Sequence, residues 1–126
     1  SESAMRRYDI DRRIDYTGIL LEYNKNAIKE NGNMELMPKM NRYYLSVITN
    51  IFFEFAKSVE DKKELRKMYT RAVRSSIVES IVNELSKSEI KELYKKIEYS
   101  LIKSGNVTIL IAYFRFKAAY ARRTKN

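Results

Sequence analysis

This sequence predicts an all-α fold, a single-domain bundle of four to six helices. Three observations carry the expectation. Apolar residues recur at spacings of three and four through most of the chain, as on one face of a helix. Three glycines and one proline in 126 residues leave few turns for a sheet-rich fold. The one strand-prone run, Val107 to Ile111, would have no partner strand elsewhere, so it too reads as helix. A chain of this length buries roughly two thirds of its unfolded surface and needs no staple.

The first helix is expected from about Asp9 to Asn31, with Ile10, Ile14, Thr17, Leu21 and Ile28 as its inner stripe and Leu20 and Ala27 widening it. Asp9 and Asp11 stand where carboxylates cap a helix start, and Gly32 stands where a left-handed residue ends one. Two carboxylates two residues apart on a helix point about 200° from each other, so this pair reads as capping rather than metal binding. Gly18, within the helix, marks a place where another helix crosses closely.

A second helix starts near Pro38 and runs to about Lys57. From Met40 its apolar residues Tyr43, Tyr44, Val47, Ile48, Ile51, Phe52, Phe55 and Ala56 cover more than half the circumference, which makes it the central helix. Ser58 with Asp61 resembles a capping box for a third segment, about Val59 to Leu85, either one helix or two bent near Ser75 and Ser76. Ser86 with Glu89 predicts the start of the next helix, with Ile90, Leu93, Tyr94, Ile97, Leu101 and Ile102 inward and Lys91, Glu92, Lys95, Lys96 and Glu98 in solvent. Gly105 ends it. Asn106 caps a last helix that packs by its first two turns.

The charge is +9 and unevenly placed. No acid follows Glu98, whereas Lys103, Arg115, Lys117, Arg122, Arg123 and Lys125 do. That asymmetry points to an anionic partner, a membrane surface or nucleic acid, against the plainer reading of a solvated basic tail. Tyr113, Phe116 and Tyr120 interleave with these cations, a pattern suited to lipid headgroups and also to stacking on single-stranded nucleic acid. The candidate anion contacts are Arg115, Lys117, Arg122, Arg123 and Lys125.

Reaction chemistry is not legible. Without His or Cys the commonest general base, the thiolate nucleophile and the usual zinc ligands are missing, and neither a Gly-rich phosphate loop nor a G-x-S-x-G turn occurs. The sequence offers no catalytic, cofactor-binding or metal-binding residue. It has neither an apolar signal segment nor a run of 18 apolar residues.

The order of pieces resembles the C-terminal helical extension of bacterial family 2 glycosyltransferases, the builders of capsule, O-antigen and exopolysaccharide. The residues that carry the likeness are Ser3-Ala4-Met5-Arg6-Arg7, the helix IDRRIDYTGILLEYNKNAIKENG, the aromatic helix from Asn41 to Lys57 and the terminal AYFRFKAAYARRTKN. The resemblance implies that residues 9–126 form an accessory domain of a longer protein; the opening SESAM, in place of an initiator Met, separately suggests that residues 1–8 are an appended sequence or linker. The resemblance also implies an upstream catalytic domain as partner, peripheral attachment to the inner face of the cell membrane from the cytoplasm, and a homodimer as a further expectation. Donor site, metal and base would belong to the upstream domain, so no catalytic residue transfers. The alternative is a small helical module that binds nucleic acid or another protein, the latter covering Phe52, Phe53 and Phe55.

Overall fold

The computed structural model describes the backbone of residues 2–124 and the side chains of residues 12–124. Among the described residues the chain forms six α-helices and no strand: α1 Glu2–Glu30, α2 Met37–Ser58, α3 Lys62–Val73, α4 Ser76–Glu84, α5 Leu93–Ser104 and α6 Val107–Thr124. The all-α expectation holds, and α2 is the central helix, packed by α1, α4 and α6.

The first helix begins at Glu2, seven residues before Asp9. Asp9 and Asp11 therefore lie within the helix, and the capping role expected of them is overturned; their side chains lie outside the described residues. The end is as expected. The Gly32 amide donates to the Lys29 carbonyl at 3.3 Å and the Asn33 amide to the Ile28 carbonyl at 3.1 Å, with Gly32 at φ 69°, the paired bonds of a Schellman ending. Ile14, Thr17, Leu21 and Lys25 form the buried face of α1. Lys25 is buried because its ammonium meets the Glu84 carboxylate and the Ser80 hydroxyl, a polar clasp between α1 and α4.

Pro38 stands in the first turn of α2, as predicted. The aromatic breadth of this helix is consumed by the chain itself. Phe52 and Phe55 are 1% and 2% exposed, and Phe52 stacks on Phe114 of α6 with ring centroids 5.7 Å apart. Tyr69 of α3 packs 4.6 Å from Phe52 and donates its hydroxyl proton to the Phe52 carbonyl. No outside partner is needed to cover Phe52 or Phe55, so that version of the interaction-module reading is corrected.

The third segment is two helices, broken at Arg74 and Ser75. Its first cap is Asp61 rather than Ser58: Asp61 Oδ1 accepts from the amides of Lys63 at 2.9 Å and Glu64 at 3.1 Å. Ser58 instead closes α2.

The Ser86–Glu89 pair forms, with the Ser86 amide donating to Glu89 Oε1 at 2.9 Å, yet it caps a single 3-10 turn, Lys87–Glu89. Ile90 then runs extended into the core, 1% exposed, and α5 starts only at Leu93. This later start rotates the helix. Ile102 is buried as expected, but Glu98 turns inward beside Tyr99 while Leu93, Tyr94 and Ile97 face solvent, against the expectation for these four. Gly105, at φ 69°, ends α5. Asn106 caps α6, its Oδ1 accepting from the Ile109 amide at 3.2 Å. The last helix buries Leu110, Phe114 and Ala118, so its packing extends into a third turn beyond the two expected.

Candidate anionic-surface site

On α6, Leu110, Phe114 and Ala118 make the inner face, and the opposite face carries Ile109, Ala112, Phe116, Ala119, Tyr120 and Arg123, all exposed. Phe116 is 72% and Tyr120 62% exposed. Leaving such side chains in water forgoes about 1.5–3 kcal/mol for the phenyl ring, and somewhat less for the phenol. The flanks of this apolar strip are cationic, with Lys117 on one side and Arg115 and Arg122 on the other.

The flanking cations are already engaged. Arg115 Nη2 donates to the carbonyls of Val59 at 3.2 Å and Glu60 at 3.3 Å, and Arg122 Nη2 donates to the Lys57 carbonyl at 3.0 Å. Arg122 thus satisfies a carbonyl of the last turn of α2, and Arg115 two carbonyls of the linker just beyond it, close to the helix end where the dipole favours positive charge. Lys117 Nζ lies 2.7 Å from Glu98 Oε2, and it sits 5.5 Å from the ring centroid of Tyr94, 5.7 Å from Phe53 and 5.9 Å from Phe114. Glu98 is 1% exposed and also accepts from the Tyr113 hydroxyl at 2.7 Å. Burial, and next the hydrogen bond to Glu98, push the Tyr113 phenol above its ordinary range.

Of the eight residues predicted for the site, the structure thus places Phe116, Tyr120 and Arg123 outward on one face. Arg115, Lys117 and Arg122 stand beside that face with their heads turned to protein acceptors, Tyr113 is half-buried against Glu98, and Lys125 lies outside the described residues. Three residues of α5 that the sequence pattern assigns to the inside are also exposed. Leu93, Tyr94 and Ile97 are 73%, 51% and 44% exposed, and the short turn at Gly105 and Asn106 folds α5 back along α6, so that Tyr94 reaches Lys117. Glu98 was missed. Its signal was Tyr113 and Lys117, one turn apart on the next helix, which together supply a donor and a charge to a single carboxylate.

A second concentration of charge is not evident from the sequence. A cleft of about 1420 Å³ opens between α1, α3 and the start of α4, bordered by Lys63, Arg66, Lys67, Arg71 and Arg74 and by the carboxylates Asp15 and Glu22. Arg66 reaches across to the Thr108 hydroxyl at the start of α6. The row strengthens the positive field of the molecule. Among the described residues no helix is long and apolar enough to cross a membrane, and no group of three or more acidic side chains gathers as a metal site.

No family model matches the sequence, and no curated protein or solved structure matches it either.

Proposed function

We propose that this chain is a helical accessory domain that seats on an acidic lipid surface through the outer face of α6 and the first turn of α5. The observation that carries the reading is the placement of Phe116 and Tyr120 on the same outward face as Ile109, with Arg123 at its end and Tyr94 of α5 against Lys117 at its flank. Such a helix lies in the plane of a bilayer, its rings at the acyl boundary and its cations at the headgroups. Each lysine or arginine near a charged leaflet adds about 1 kcal/mol, and the cationic row of α3 supplies long-range attraction. Arg115 and Arg122, held by neutral carbonyls, have a double role, fixing α6 against the bundle while leaving positive charge beside the apolar strip, whereas the charge of Lys117 is balanced by Glu98.

The parent activity rests on the order of helices alone, which resembles the C-terminal extension of family 2 glycosyltransferases. On that proposal the chain supports an upstream catalytic domain at the inner face of the cell membrane, where lipid-linked acceptors lie, and takes no part in the chemistry itself.

The test is co-sedimentation with vesicles of phosphatidylglycerol and phosphatidylcholine, against phosphatidylcholine alone. Binding to the acidic vesicles that weakens with salt, and is lost in Phe116→Ser/Tyr120→Ser with an unchanged melting temperature, is the expected result. These two positions are chosen because both side chains are mostly exposed. Vesicle binding retained in the variant would overturn the assignment to this face of α6, capture of a single-stranded oligonucleotide in place of vesicles would turn the reading to the nucleic-acid alternative, and binding to neither would leave a solvated tail.

A further inference from the structure

The most apolar exposed face outside the α5–α6 surface is on α1. Tyr16, Ile19, Leu20 and Tyr23 are 61%, 67%, 39% and 72% exposed. Their spacing of three, four and seven places them on one line, diametrically opposite the buried Ile14, Thr17, Leu21 and Lys25. The bundle cannot cover this line, because α1 already turns its other side to the core.

The stripe reads the same in both directions. About the midpoint between Ile19 and Leu20, Tyr16 mirrors Tyr23 and Ile19 mirrors Leu20. A two-fold interface requires this property, since residue i must meet residue j on the partner while j meets i. An antiparallel pairing of two such stripes places each Tyr16 against the partner's Tyr23 and brings the aliphatic pair together at the axis.

Charge agrees with the same register. Arg12 and Glu30 are both exposed and are eighteen residues apart, five turns at 3.6 residues per turn, so they lie on one line along the stripe. Antiparallel pairing brings Arg12 within about one turn of the partner's Glu30, twice by symmetry. A parallel pairing would set Arg12 against Arg12 and Glu30 against Glu30.

From the self-complementary stripe and its charged ends, we infer that this chain associates with a second copy of itself through an antiparallel α1–α1 contact. The inference stands apart from the lipid-binding proposal. The four side chains and their mates would bury roughly 800–1,000 Å², with aromatic rings contributing the most. That is at the low end for a specific interface, so the dimer forms and dissociates with concentration in the micromolar range and above.

The chain has no cysteine, so introduced thiols report the register without interference. Under oxidation an equimolar mixture of Tyr16→Cys and Tyr23→Cys chains should give a disulfide-linked heterodimer. Either chain alone should stay largely unlinked, because antiparallel pairing separates like positions by about 10 Å along the axis, beyond disulfide reach. Sedimentation velocity should show the wild type moving from monomer to dimer with concentration. Ile19→Glu/Leu20→Glu, folded by circular dichroism, should stay monomeric, and Phe116→Ser/Tyr120→Ser should dimerise as the wild type does. Efficient linking of Tyr16→Cys to itself, a monomer at every concentration, or a dimer unaffected by Ile19→Glu/Leu20→Glu would each overturn the inference.

Discussion

Lys117 Nζ stands 2.7 Å from Oε2 of Glu98, a carboxylate that is 1% exposed, and the same oxygen receives the Tyr113 hydroxyl. This trio locks the α5–α6 hairpin. A buried carboxylate deprived of its cation is costly, and losses of 3–5 kcal/mol are usual where both partners are buried. Lys117 is 39% exposed, so water recovers part of that, and Lys117→Met should destabilise the chain by about 2 kcal/mol. Adding Glu98→Gln should restore a good part of the loss, because a neutral amide is far easier to bury. Urea midpoints of the two single variants and the double variant measure it; equal midpoints for Lys117→Met and wild type would show that the pair carries no weight.

Arg115 and Arg122 hold α6 to the end of α2. A hydrogen bond from a charged donor contributes about 1.5–3 kcal/mol when shielded, and less at the surface. Arg122, fully at the surface with one carbonyl, should cost about 0.5 kcal/mol as alanine, while half-buried Arg115, with two carbonyls, should cost about 1.5 kcal/mol. Arg115→Lys should recover less than half, since an ammonium cannot span both carbonyls as the guanidinium fork does. Thermal melts of the three variants decide the order, and a larger loss at Arg122 than at Arg115 would contradict it.

Local chemistry is readable from the sequence and long-range chemistry is not. Pro38, Gly32 and Gly105 each mark a boundary where the residue type alone dictates backbone conformation, and the expected ends of α2 lie within a residue of the observed ones. The Ser86–Glu89 box also forms as the pair its spacing predicts. Whether a helix continues beyond such a box depends on the residues after it, and here the pull of the core on Ile90 holds the chain extended for three more residues. Glu98 reads as a solvent residue because it is charged and stands among Lys95 and Lys96, while the partners that bury it, Tyr113 and Lys117, belong to the next helix. The acceptors of Arg115 and Arg122 lie 55 to 65 residues away in the chain, beyond any local pattern. The outward apolar stripe of α1 is hidden for a related reason. The spacing picks Ile14, Thr17 and Leu21 as the inner face correctly, but it counts Leu20 with them, whereas the packed bundle leaves Leu20 39% exposed on the outward line with Tyr16, Ile19 and Tyr23.

Gly18 sits in α1 opposite Ile77 of α4, and a Cβ added there would lie 3.8 Å from the Ile77 Cβ, an ordinary contact. The close crossing expected at this position is present but leaves room for a methyl group. Gly18→Ala should therefore stabilise by about 1 kcal/mol through helix propensity, raising the melting temperature by roughly 3–6 °C in a chain of this size. Gly32→Ala and Gly105→Ala should do the opposite, because both residues hold φ at 69°. A lower melting temperature for Gly18→Ala would mean that α1 and α4 pack more tightly than this spacing allows.

Tyr69 and Tyr113 make the stability of the fold depend on pH in the alkaline range. Burial pushes the Tyr69 phenol above its ordinary range, partly offset by nearby Arg115, and burial with the hydrogen bond to Glu98 does the same at Tyr113. In the unfolded chain both phenols ionise near pH 10, whereas the folded chain keeps them protonated above that. The folded state then binds more protons, so stability falls as pH rises. Their contribution is whole below about pH 10 and is lost progressively above it, toward the raised folded values. Tyr69→Phe removes one of these groups together with its bond to the Phe52 carbonyl. It should be about 1 kcal/mol less stable than wild type at neutral pH yet lose stability more gradually above about pH 10. Urea midpoints taken in steps from pH 8 to pH 12, over about the range of tyrosine ionisation, give both slopes. Equal slopes would show that Tyr69 ionises in the folded chain as readily as in the unfolded one, against its complete burial beneath Phe52 and Phe114.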